Sequence, residues 1–234
     1  MKHASLTVLS LFAALMVGCG DDDTTTPPTD SPPTAPRNGL VAEYTFTGNG
    51  NDTSGNANNG ALSGGPTLTT DRFGKANRAY SLDGVDDAIT TVTDQFASGN
   101  NVSVSVWFKV PSIAASLRFF IMCSDFAVGT NGASASMGIS IPGTSSAAGA
   151  ITAGEWHQLL GTYDGTNIRC YIDGVLTATT NHPGNISDPD RPLAFGVFGV
   201  NYWTGTLDDV RIYNRVISSA SEISNLYHEG GYAQ

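Results

Sequence analysis

The chain has 234 residues, of which 40% are apolar, and its 11 Lys plus Arg face 21 Asp plus Glu for a formal charge of −10. Eight Arg and three Lys are scattered without a cluster, so the basic footprint that a polyanion requires is missing and nucleic acid is excluded as a partner. The acidic balance suits solubility, cation binding or neutral ligands.

The chain opens on a basic residue, Lys2, followed by an apolar run from Leu6 to Val17 and the small residue Gly18 before Cys19. That is the organisation of a cleaved export signal over residues 1–18. The apolar run is about a dozen residues, short of the roughly 20 that a membrane-crossing helix needs. Leu15-Met16-Val17-Gly18-Cys19 resembles the lipobox of bacterial lipoproteins, which implies that Cys19 carries lipid and becomes the mature N-terminus. Loss of residues 1–18 removes Lys2 and takes the formal charge from −10 to −11.

Residues 19–38 begin with Gly20, Asp21, Asp22 and Asp23 and continue as a Thr/Pro/Ser-rich stretch with almost nothing to bury. The pairs Pro27-Pro28 and Pro32-Pro33 favour an extended, semi-rigid tether. Glycine after the lipobox cysteine resembles the signal for outer-membrane delivery. The expected location is therefore the cell envelope, at the outer membrane or cell surface, with the membrane as a partner through the lipid.

Residues 39–234 form one large all-β domain. Strands are predicted over Leu40–Phe46, Ala79–Leu82, Ala88–Val92, Val102–Val110, Phe119–Cys123 and Met137–Ile141. Val102, Val104, Val106, Phe108 and Val110 alternate with Ser103, Ser105, Trp107 and Lys109, the pattern of a strand with one buried and one wet face. Glu155–Tyr163, Asn167–Ile172 and Val175–Thr180 are separated by Asp164-Gly165 and Asp173-Gly174, pairs that supply the positive φ of tight hairpins, so the three form a meander. Ala194–Val200 and Leu207–Asn214 close the set of about ten. Two packed antiparallel sheets would bury so many single faces. Ser219 with Glu222 makes a capping box ahead of Ile223, Leu226 and Tyr227, which predicts a short C-terminal helix docked on the sandwich. Cys123 and Cys170 lie in strand-like runs of an exported domain, where they are either a cross-strand disulfide or two buried thiols.

Several stretches together resemble the laminin-G-like, concanavalin-type jelly-roll family of bacterial surface proteins. They are Gly48-Asn49-Gly50-Asn51-Asp52-Thr53-Ser54-Gly55-Asn56, Ser81-Leu82-Asp83-Gly84, Glu155-Trp156-His157 to Asp164-Gly165, Tyr171-Ile172-Asp173-Gly174, and Gly205 to Arg215 with the helix beyond. The resemblance implies a two-sheet antiparallel jelly-roll sandwich, first and last strands adjacent, and a bound calcium ion in many members. Calcium needs six to eight oxygen ligands. Asp52, Asn49 and Asn51 offer such oxygens, and adjacency of the terminal strands would let Asp208 or Asp209 complete the shell; the same residues could equally be turn formers.

Trp107, Trp156, Tyr171, Tyr202 and Trp203 are the aromatics that could stack on a sugar ring, although a strand Trp is more often packing. Tyr202, Trp203, Trp107 and Tyr171 are carried as ligand candidates. His157 sits on a strand between Trp156 and Gln158, without a nearby Ser, Cys or carboxylate arrangement that would make it a base, and His182 and His228 are isolated, so a zinc site is not expected. A polysaccharide hydrolase needs two carboxylates facing across the scissile bond. The four glutamates, Glu43, Glu155, Glu222 and Glu229, form no such pattern, and no catalytic residue is assigned. The expected function is a non-catalytic binding module for extracellular glycan or a surface protein. A structural or assembly role in the envelope, or a polysaccharide-cleaving enzyme, are the alternatives.

Overall fold

The computed structural model describes residues 31–92, 96, 99–114, 116–123, 126–139, 145–186 and 192–232. The expected signal peptide, Cys19 and most of the expected tether lie outside them. The compact unit begins at Pro32.

The described strands are β1 (Leu40–Tyr44), β2 (Ala61–Ser63), β3 (Thr67–Thr69), β4 (Ala79–Asp83), β5 (Ala88–Thr90), β6 (Val102–Lys109), β7 (Arg118–Met122), β8 (Phe126–Asn131), β9 (Ser134–Ile139) and β10 (Ser145–Ala150). They continue with β11 (His157–Tyr163), β12 (Asn167–Ile172), β13 (Val175–Asn181), β14 (Ala194–Phe195), β15 (Val197–Phe198), β16 (Asn201–Tyr202) and β17 (Thr204–Tyr213), before helix α1 (Ala220–Tyr227). The first sheet runs β13-β12-β11-β6-β17-β4-β3, with β1 beside the second half of β17; the second runs β10-β9-β8-β7-β14-β5-β2. All pairings are antiparallel, as the jelly-roll resemblance implies, and Glu43 of β1 lies opposite Arg211 of β17, so the first and last long strands are neighbours.

The core between the sheets collects the inward rows. Val102, Val104, Val106 and Phe108 of β6 are completely buried there with Ile121, Val128, Met137 and Phe195 of the facing sheet. Gly161 of β11 is required by this packing, because a Cβ there would lie 2.2 Å from Met137 Sδ and 2.8 Å from Met137 Cβ across the gap.

The expected wet face of β6 is corrected: Ser103, Ser105 and Trp107 are also buried. α1 and the chain after it cover this face. Ser219 caps the helix, its Oγ accepting from the Glu222 N–H, and Ile223, Leu226 and Tyr227 turn inward. Ile223 and Leu226 meet Leu160, Tyr213, Ile217 and Ala35 in a second cluster on the outside of the first sheet. Residues 32–38, which composition reads as tether, join this layer through Ala35 and through the Gly230 N–H donated to the Pro33 carbonyl. Few apolar atoms suffice when a groove between helix and sheet already exists.

The meander is as expected, although its two turns differ. Asp173 and Gly174 both have positive φ, whereas at the other turn only Gly165 does. There the Asp164 side chain accepts from the Thr166 and Asn167 N–H groups instead. Cys123 follows β7 in the second sheet and Cys170 lies on β12 in the first; they are two buried thiols, not a disulfide.

Candidate binding site

The second sheet carries a pocket on its outer surface. Ala194 of β14 lies opposite Thr90 of β5 on one side and Met122 of β7 on the other, while its neighbour Phe195 aligns with Ile89 and Ile121. Ile89, Ile121 and Phe195 point into the core, so alternation sends Thr90, Ala194 and Met122 outward. Together with Thr91, Cys123, Pro192, Val197, Phe198 and Gly199 they line a cavity of about 470 Å³. That volume is in the range of small-molecule sites, as is a lining of apolar groups with a few polar ones.

Local sequence explains the wall. After β14 the chain reverses through the short hairpin β15–β16, in which Val197 pairs with Tyr202 and Phe198 with Asn201. The turn uses Gly199 at φ +61°. Phe198 is held at its base by Phe119 of β7, ring edge to face at 5.5 Å between centroids. The flanking Val92 and Val200 are 89% and 90% exposed. No charged side chain occurs among the described lining residues.

The expected calcium set does not fit a metal. Asp52 is saturated: its Oδ1 accepts from the Glu43 and Ser54 N–H groups at 2.9 and 2.8 Å, and its Oδ2 from Asn58 N–H at 3.0 Å and Ser54 Oγ at 2.9 Å. Asn49 Oδ1 accepts from Asn51 N–H, so this loop is built by turn-forming side chains. Asp208 and Asp209 are claimed by Arg72, whose guanidinium is 2.9 Å from Asp208 and in contact with Asp209. Arg72 lies over the rings of Phe73 and Trp107, 4.4 and 4.7 Å from their centroids. Arg211 bridges Glu43 at 2.9 Å and Glu229 at 2.7 Å, which stands between the two expected halves of the site. A bulge in β17 between Asp208 and Arg211, with Asp209 at φ +41°, lets consecutive acids reach the same face. Burial first, and the Asp209 charge second, push the Asp208 carboxyl well above its ordinary range. Burial also tends to raise Glu43, but the Arg37 hydrogen bond and the Arg211 charge outweigh it and hold that carboxyl low. Asp83, Asp86 and Asp87 bring three carboxylates within 4.8 Å of one another. Two of them already hold a loop together, Asp87 accepting from Asp83 N–H and Asp83 from Val85 N–H.

The aromatic candidates divide. Trp107 is fully buried, stacked on Tyr227 of α1 at 5.6 Å and 11°, and Trp203 is a core residue tilted against Phe120 at 4.9 Å. Neither offers a face to a ligand, which corrects both assignments. Tyr171 is 9% exposed beside α1, on the opposite sheet from the pocket. Tyr202 is half-buried in the hairpin that walls the pocket, and Phe198 of the same hairpin was the residue that aromatic counting over Trp and Tyr omitted.

His157 is not as isolated as its sequence neighbours imply. Its Nδ1 is 2.8 Å from Asp173 Oδ2, and its Nε2 is 3.0 Å from both the N–H and the Oγ1 of Thr152. The Thr152 amide donates to Nε2, so the proton of a neutral ring belongs on Nδ1, facing Asp173. The lone pair that would make a base is already engaged by the backbone, and the trio ties the β12–β13 turn to the start of β11.

A double-layered antiparallel sandwich of this strand order defines a jelly-roll domain. The profile described as concanavalin A-like lectin/glucanases superfamily matches residues 83–224, and the chain belongs to that superfamily. Among solved structures it is similar to domain 4 of AbnA, a GH43 extracellular arabinanase from Geobacillus stearothermophilus in complex with arabinotriose, with a TM-score of 0.65 and 20% identity over 84% of this chain and 100% of that one. It is also similar to the binding domain of Paraclostridial Mosquitocidal Protein 1, with TM-score 0.68, 15% identity, 82% of this chain and 52% of that one. For the botulinum neurotoxin serotype D binding domain the values are 0.61, 15%, 83% and 51%. The chain thus spans the whole arabinanase domain and about half of each toxin domain. No curated protein sequence matches it.

Proposed function

We propose that this chain is a non-catalytic glycan-binding module held at the bacterial envelope by lipid on Cys19. The observation that carries the reading is the pocket of about 470 Å³ on the outside of the second sheet, with Thr90 and Phe198 in its lining. Hydroxyls that both donate and accept, beside an apolar wall, suit a sugar ring. Support comes from superfamily membership and from a relative of matching length solved with arabinotriose. The described lining contributes no carboxylate for bond cleavage.

Where the chain enters the domain fits display. Pro33 and Ala35 lie on the outside of the first sheet, the side opposite the pocket. Thirteen residues, Cys19 to Ser31, precede the compact unit and reach roughly 40 Å if extended.

The test is a polysaccharide array probed with the full chain, in calcium and in EDTA. Retention on at least one glycan, without release of reducing ends, is expected in both conditions. Ala194→Trp, which fills the pocket floor, should abolish it while the melting temperature is kept. A silent array, or Ala194→Trp binding like the parent, would overturn the reading; a co-purifying envelope protein with a silent array would point to assembly instead.

A further inference from the structure

The chemistry of the pocket restricts which glycan it takes, on the premise that it is a glycan site. We infer that the bound residue is a neutral sugar bearing an apolar substituent, a 6-deoxyhexose with its methyl group inserted, and not a uronic acid or sulfated sugar.

Three features of the site agree. Its described lining has no Lys, Arg or His, so none of the described side chains would compensate the lost hydration of a carboxylate or sulfate drawn from water. The chain's formal charge of −10 adds long-range repulsion against any polyanionic chain. The apolar part of the lining is Met122, Ala194, Val197 and Phe198, and Val200, next in the chain to the lining residue Gly199, is an apolar side chain left 90% exposed. A ring carrying a full set of hydroxyls would bury several of them against these side chains unpartnered. Replacing the exocyclic hydroxymethyl by methyl matches the apolar wall, and the remaining ring hydroxyls can turn toward Thr90.

Matched pairs that differ by one oxygen decide the point. Methyl α-L-fucoside is compared with methyl α-L-galactoside, and methyl α-L-rhamnoside with methyl α-L-mannoside, using saturation-transfer NMR and competition against the full chain; methyl galacturonoside is the charged control. The deoxy sugar of at least one pair should bind about 10- to 100-fold tighter than its hydroxylated partner, the range by which an apolar pocket discriminates against one added hydroxyl. Its methyl protons should receive the strongest saturation. Val200→Asp, at a position 90% exposed and so without consequence for folding, should weaken binding several-fold. Equal or tighter binding of the hydroxylated or uronic sugar overturns the inference and leaves the glycan-module reading intact. Failure of every sugar, alongside a silent polysaccharide array, removes both together.

Discussion

Replacing Arg72 by Ala probes the buried ion network directly. The Arg72 side chain is 1% exposed and that of Asp208 2%, and the same guanidinium serves Asp209 and approaches Glu229 at 3.9 Å. Its removal strands two adjacent carboxylates out of water, and breaking a buried pair from one side costs about 3–5 kcal/mol. Loss of the stacking on Phe73 and Trp107 adds roughly 0.5–2 kcal/mol. For a domain of this size each kcal/mol lowers the melting temperature by about 2–4 °C, so a drop on the order of 10 °C is expected by calorimetry. Asp208 sets the pH dependence. Its folded carboxyl already titrates above the unfolded value, so what it contributes to stability is greatest at low pH and is lost as pH rises through the folded value. Without Arg72 the folded value climbs further, and the deficit of the variant should shrink between pH 7 and pH 5. Arg72→Ala with Asp208→Asn should recover part of the loss. A drop below about 3 °C, or a double variant no better than the single one, would refute the claim that this cation compensates buried acids.

Leu226→Ala, at a fully buried position of α1, should cost about 2–5 kcal/mol and change the near-ultraviolet dichroism of the Trp107–Tyr227 stack, read in thermal and spectroscopic scans. Gly161→Ala should destabilise by about 1–3 kcal/mol in denaturant titration, because its methyl group collides with Met137 across the sandwich. Acid unfolding should draw on Glu43 and Asp164, both held below their ordinary values of 4.5 and 3.8. Their stabilisation is complete above those values and is lost as pH falls through the lowered ones, so Glu43→Gln should flatten the acid limb of a stability curve. A reductant should leave the melting temperature unchanged, since Cys123 and Cys170 are buried thiols; a fall of several degrees would reveal a bridge.

Local pattern made much of the architecture legible. Alternation located the core row of β6, the two Asp-Gly pairs placed the β11–β13 meander, and Ser219 with Glu222 marked the start of α1, since each depends on neighbours a few residues apart. The β8–β9 hairpin had a local signal too, Asn131-Gly132 between two short runs, with Gly132 at φ +59°. Alternation alone does not reveal it, because β8 is buried on both faces from Phe126 to Thr130.

The candidate site was far less legible. Asp52 and Asp208 each look like an oxygen ligand along the chain, but whether a carboxylate meets a cation, an amide or a metal depends on partners that lie as far as 136 residues away. His157 likewise met Asp173 only because β11 and β12 pair. The amino-acid order by itself determined that alternating faces would condense into a two-layer sandwich, as the period of a strand requires no long-range information. Which aromatics were entombed, which acids were neutralised, and where a short hairpin would raise Phe198 beside a largely apolar hollow were decided only by tertiary packing, because burial and charge compensation belong to what closes over a side chain from elsewhere in the fold.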